Sequence, residues 1–142
     1  MKIMIKTLIF DFGDVFINLN KAGAMQNALT LFQVDQLPEE LVAINTLYEQ
    51  GLLSTEEFLE FYIENFPNLT KEDIIDAWNS IIKEFPEHRL NWIKTIAKDK
   101  KYKLILLSNT NTLHIDYIKK HVSFYEEFKR NKKNYFKIPK RS

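Results

Sequence analysis

Two short apolar runs, each ending in polar residues, set the strongest limit on what this chain can fold into. IMIKTLIF, residues 3–10, stops at Asp11, and KLILL, residues 103–107, stops at Ser108-Asn109-Thr110-Asn111. Both are rich in branched or aromatic side chains, which suits strands buried on both faces of a parallel sheet. The long stretch between them has helical periodicity. Leu41, Ile44, Leu47 and Tyr48 share a face on a helix expected between Pro38 and Gly51. Ser54 with Glu57 forms a capping box that opens a second helix, with Phe58, Leu59, Tyr62 and Phe66 inward. Thr70 with Asp73 starts a third, carrying Ile74, Ile75, Trp78, Ile81 and Ile82, and Pro86 precedes a fourth with Leu90, Ile93 and Ile96 on one side. After the second strand, TLHIDYIKKHVSFYEEF reads as one more helix, with a break near Val122.

Strand, helices, strand, helix is the order of an α/β protein with a Rossmann-like parallel sheet. The helical stretch is too long for a simple crossover, so an inserted α-helical cap subdomain is expected at 18–85. The core would then be 1–17 with 86–142.

Composition narrows the class. The chain has no cysteine, which excludes disulfides and thiolate metal sites. No apolar run reaches the length of a membrane span, and the first residues lack a signal-peptide pattern, so a cytoplasmic protein without a membrane partner is expected. The last fourteen residues, KRNKKNYFKIPKRS, hold seven of the 20 Lys and Arg and none of the 19 Asp and Glu. Such a tail can attract nucleic acid, but a solvated terminus is the plainer reading, and a nucleic-acid partner is not expected. His88, His114 and His121 lack a chelating spacing and read as surface or boundary residues. The tryptophans and phenylalanines read as packing.

Chemistry is expected at the two strand ends, because ligands of open α/β sheets bind beyond the carboxyl ends of the strands. A carboxylate there can attack an electrophile. Opposite it, hydroxyl and amide side chains with backbone N–H groups can cradle a phosphate. Gly13, without a Cβ, lets backbone amides approach a ligand.

The arrangement IFDFGDV, a helical insertion, then LILLSNTN resembles the haloacid dehalogenase (HAD)-like hydrolase superfamily, in the branch with a helical cap after the first strand. That resemblance implies a Mg²⁺-dependent phosphatase of small phosphate esters working through an aspartyl-phosphate. Asp11 would be the nucleophile and a metal ligand, and the Gly13 carbonyl a second ligand. Ser108 and Asn109, with the amides of Phe12 and Gly13, would hold the phosphate, and the partner would be a small phosphorylated metabolite.

The chain departs from the family pattern in two ways. Family phosphatases usually carry a second aspartate, the general acid and base, where this chain has Gly13, although some branches also have glycine there. The family's later lysine and metal-binding acids have no clear counterpart, since no Asp or Glu follows Arg130 and Lys137 sits in the basic tail. The expectation is a truncated HAD core with a weak Mg²⁺ site and impaired catalysis, or an inactive remnant that serves as a binding module. The edge of the first strand would be exposed, favouring a homo-oligomer or a covering tail, with YFKI at 135–138 as a candidate third strand.

Overall fold

A computed structural model describes residues 4–122 and 135–137. Nine elements follow in chain order: β1 (Thr7–Phe10), α1 (Lys21–Phe32), α2 (Glu39–Glu49), α3 (Thr55–Asn65), α4 (Lys71–Asn79), α5 (Glu87–Lys98), β2 (Lys103–Leu107), α6 (Thr112–His121) and β3 (Tyr135–Lys137). The fold is α/β, with a parallel sheet in order β1-β2-β3 and a large helical insertion after β1. Two compact units divide it. One contains 4–19, 83–109 and 118–122 with β3, and the other contains 20–82 and 110–117. Among the described residues no helix is long and apolar enough to cross a membrane.

In the sheet unit, Leu8 pairs with Leu104 and Phe10 with Leu106, so these four side chains fall on one face. Leu104 and Leu106 are fully buried, and Phe10 packs edge-on against Phe16 and against Trp92 of α5. The other face differs from expectation. Ile9 is 62% and Leu107 41% exposed, so β1 and β2 alternate instead of being buried throughout. The physical reason is visible in the pairing: the described α5 packs on the Phe10 side, and Ile9 and Ile105 lie on the opposite one. Residues 135–137 do form a strand, but it pairs with β2, so β1 remains an edge strand among the described residues. Apart from that short backbone segment, the basic tail lies outside the described residues.

The helical unit follows its local signals closely. Ser54 and Glu57 make both bonds of a capping box at α3, and Thr70 with Asp73 does the same at α4. Glu57 and Asp73 are held below the usual carboxylate range by those backbone bonds. The core joins Phe32, Leu41, Tyr48, Phe58, Leu59, Tyr62 and Ile74 with Leu113 of α6. Its centre is aromatic: the Tyr48 and Phe58 rings stack at 4.2 Å, and Phe58 meets Trp78 at 4.9 Å. The Tyr62 hydroxyl donates to Asn45 Oδ1 at 2.6 Å, and burial pushes its pKa up to about 12. At the entrance of α1, Asn20 Oδ1 accepts the Gly23 N–H at 2.9 Å. A Cβ on Gly23 would fall 2.3 Å from Asn20 Nδ2, so this cap needs glycine there.

Candidate active site

The parallel register fixes where the two polar clusters emerge. Phe10 is level with Leu106, so Asp11 leaves β1 beside Leu107 and one residue short of Ser108, at the same end of the sheet. Adjacent strands lie about 4.8 Å apart, which puts the two strand ends within reach of one small anion. Asp11 is exposed and Ser108 is 6% exposed, while Asn109 is open to solvent.

Residues 12–17 then coil into a tight loop held from below. The Phe12 carbonyl accepts the N–H groups of Val15, Phe16 and Ile17 at 3.3, 2.9 and 3.3 Å. Asp14 takes a left-handed conformation with φ 59°, which Asp tolerates better than most residues. Its N–H donates to the Ile17 carbonyl at 2.8 Å, and its carboxylate accepts the Leu19 N–H at 3.2 Å. Asp14 is therefore engaged with its own loop. Phe12, Phe16 and Ile17 are 3%, 2% and 1% exposed. Phe16 stacks on Phe85 at 6.0 Å and packs against Trp92 at 6.2 Å. Arg89 of α5 donates to Asn18 Oδ1 at 2.9 Å and reaches the Phe16 carbonyl. Asn18 in turn donates to Glu84, whose carboxyl is held below its usual range chiefly by that bond.

Within this loop Gly13 stands apart. Among the described residues neither its N–H nor its carbonyl has a hydrogen-bond partner, whereas both of these groups are used at Phe12 and Ile17. The Phe12 N–H donates to Asp11 Oδ1 at 2.7 Å, so this amide, expected to face a phosphate, supports the carboxylate instead. A Cβ on Gly13 would come 3.0 Å from Leu19 Cδ1, a contact that Leu19 must yield to accommodate.

The polar cluster after β2 divides. Asn111 is a helix cap in the helical unit: its Oδ1 accepts the His114 N–H at 3.0 Å and the Trp78 indole N–H at 3.2 Å. Its Nδ2 lies 3.1 Å from His114 Nδ1, and His114 Nε2 lies 3.2 Å from the Trp78 carbonyl. The amide can only donate at Nδ1 and the carbonyl can only accept at Nε2, so the ring is neutral with its proton on Nε2. Burial lowers the His114 pKa accordingly. Sequence reading missed this role of Asn111, although an Asn directly before a helix is itself a cap signal.

Oxygen donors suited to a hard divalent cation are present at Asp11 and at the Gly13 carbonyl. Among the described residues no group of three or more His, Asp or Glu gathers to hold a metal.

No family model matches the chain. Solved structures do. A HAD family enzyme from Bacteroides thetaiotaomicron, in its magnesium complex, superimposes with a TM-score of 0.77 at 29% identity, covering 96% of this chain and 68% of that one. A mutant of that enzyme, in complex with magnesium and inorganic phosphate, gives 0.75 at 26% identity, covering 97% and 70%. A predicted HAD-like family hydrolase from Porphyromonas gingivalis gives 0.66 at 28%, covering 80% and 56%. The Rossmann-like core, the helical insertion and these likenesses make the chain a haloacid dehalogenase-like protein. Among curated proteins it is similar to the D-ribitol-5-phosphate phosphatase of Bacteroides thetaiotaomicron, 32% identical over 113 residues. That match takes in 76% of this chain, which spans about half, 54%, of the length of its relative.

Proposed function

We propose that the chain is a hydrolase of small phosphate esters, with Asp11 as nucleophile and residues 20–82 serving as the cap. The observation that carries this reading is the pair of strand ends: the register brings Asp11 and Ser108 out at the same end of the sheet, and among the described residues the Gly13 amide, two residues after Asp11, has no hydrogen-bond partner. Likeness to a protein named as a phosphatase, and to a HAD family enzyme solved with magnesium and inorganic phosphate, supports it.

In this reading Ser108 Oγ, Asn109 Nδ2 and the Gly13 N–H hold the phosphoryl oxygens. An Asp11 oxygen attacks phosphorus, a P–O bond forms to the carboxylate, and the ester P–O bond breaks. The Phe12 N–H keeps Asp11 Oδ1 in place, leaving Oδ2 to attack. Water then hydrolyses the aspartyl-phosphate, releasing phosphate and regenerating the carboxylate. A Mg²⁺ ion, held by Asp11 and the Gly13 carbonyl, would neutralise phosphate charge, the chief need of phosphoryl transfer.

Slow turnover follows from Gly13. With no carboxylate there, the departing alkoxide takes its proton from solvent, forgoing about 10²–10⁴-fold in rate. Asp11 is the one carboxylate of the cluster not tied to Leu19, so cation binding by these residues is weak. A binding module that retains the phosphate cradle is the second reading, and the same glycine favours it. The test is p-nitrophenyl phosphate hydrolysis with Mg²⁺, with the parent compared against Asp11→Asn. Asp11-dependent turnover supports the enzyme, and equal background rates remove it.

A further inference from the structure

The helical unit contains a cavity of about 240 Å³ that phosphate chemistry does not explain. Protein interiors pack closely, with few voids larger than a water molecule. Alanines at 24, 28 and 77 line the space together with the large rings of Phe32, Phe58 and Trp78, and their short side chains leave it unfilled. Those rings are held by their own stacking and cannot close the gap: Phe58 lies against Tyr48, and Trp78 is fixed by Asn111 and His114. Lys21, Met25 and Glu49 mark its mouth, since all three line it and all three are exposed.

Two polar groups face this apolar space. Tyr62 and Asn45 both line it, and the bond between them uses the tyrosine proton and Asn45 Oδ1. Among the described residues the Asn45 Nδ2 protons have no partner, and a lone pair remains on the Tyr62 oxygen. One donor therefore sits beside one acceptor. His114 adds a flat, neutral wall, because both its ring nitrogens are committed. Lys21 and Glu49 at the mouth carry opposite charges, so the entrance selects for neither sign.

We infer that this cavity is a binding site for an uncharged single-ring molecule bearing one hydroxyl, such as a phenol. The ring fills the apolar volume, and the hydroxyl accepts from Asn45 Nδ2 while donating to Tyr62 Oη. Such a pocket, largely apolar with a few convergent polar groups, has the usual build of a small-molecule site. Its lining comes wholly from residues 20–82 and 110–117, whereas Asp11 and Ser108 belong to the other unit. The inference stands whether or not the chain turns over phosphate esters.

The test is a titration of p-cresol into the full chain carrying Trp92→Phe, followed by Trp78 fluorescence. Saturable quenching is expected, with p-cresol binding about tenfold more tightly than toluene, which lacks the hydroxyl, the size expected of one well-made hydrogen-bond pair. Ala28→Leu, which fills the space, should weaken p-cresol binding at least tenfold without altering the circular dichroism, and Ala77→Leu serves as a second filling variant. Absence of saturable binding, equal affinity for toluene and p-cresol, or binding unchanged in both folded variants would overturn the inference.

Discussion

Asn111 holds Trp78 by accepting its indole N–H at 3.2 Å, and with the same oxygen it caps α6 through the His114 N–H at 3.0 Å. One buried side chain thus ties the end of α4 to the start of the helix that follows β2. Replacing it by alanine leaves a half-buried indole donor without its acceptor and uncaps α6. The expected loss is about 1–2 kcal/mol, combining the lost bond to a half-buried donor with a lost cap, and urea denaturation measures it. Asn111→Asp keeps both acceptor bonds and should cost less.

His114 gives the stability a pH dependence. Burial lowers its pKa below 6.5, so the folded protein prefers the neutral ring. Below 6.5 the unfolded chain binds more protons than the folded one, and stability falls as pH drops toward the folded value. The exposed carboxylates with lowered values, Glu57 and Glu84, begin to lose their contribution only near 4.5. Denaturation midpoints measured between those limits should decline with falling pH in the parent and stay nearly flat in His114→Gln.

Gly13 can be tested by addition. Its φ is not positive, so a side chain is tolerated by the backbone, and the obstacle is Leu19 at 3.0 Å. Gly13→Asp should raise p-nitrophenyl phosphate turnover by roughly 10–100-fold, part of what a placed general acid supplies. It should also lower stability by about 1 kcal/mol through crowding. Adding Leu19→Val should recover most of the stability while keeping the gain in rate.

Phe16 anchors the loop that carries Asp11 and Gly13. It is 2% exposed and packs against Phe10, Phe85 and Trp92. Phe16→Ala should cost about 3–5 kcal/mol, and Phe16→Leu well under half of that. Thermal unfolding followed by near-ultraviolet circular dichroism separates the two.

Much of this arrangement is legible in the sequence, for local reasons. Asp11 and Ser108 stand out as a pair because each directly follows an apolar run, although a plain turn after a buried strand is a common reading of Asp11 alone, and the capping boxes at Ser54 and Thr70 depend only on neighbours three residues apart. The helix Lys21–Phe32 is harder to see, because Ala22, Ala24 and Ala28 dilute its apolar stripe, and two of them, Ala24 and Ala28, line the cavity. Asn111 looks like part of a phosphate cradle by position, and only its bonds to Trp78 and His114, distant in sequence or across a helix turn, assign it elsewhere. The exposed face at Ile9 is equally hidden, since strand composition does not tell which side a helix covers.

The central claim is that Asp11 takes the phosphoryl group. It is tested most directly by incubating the chain with Mg²⁺ and p-nitrophenyl phosphate, quenching in acid, and mapping phosphate by peptide mass spectrometry. A phosphate on Asp11 in the parent, absent in Asp11→Asn and more abundant as substrate rises, is the predicted result. Turnover with no phosphate on Asp11, or phosphate carried equally by the Asn variant, would contradict it.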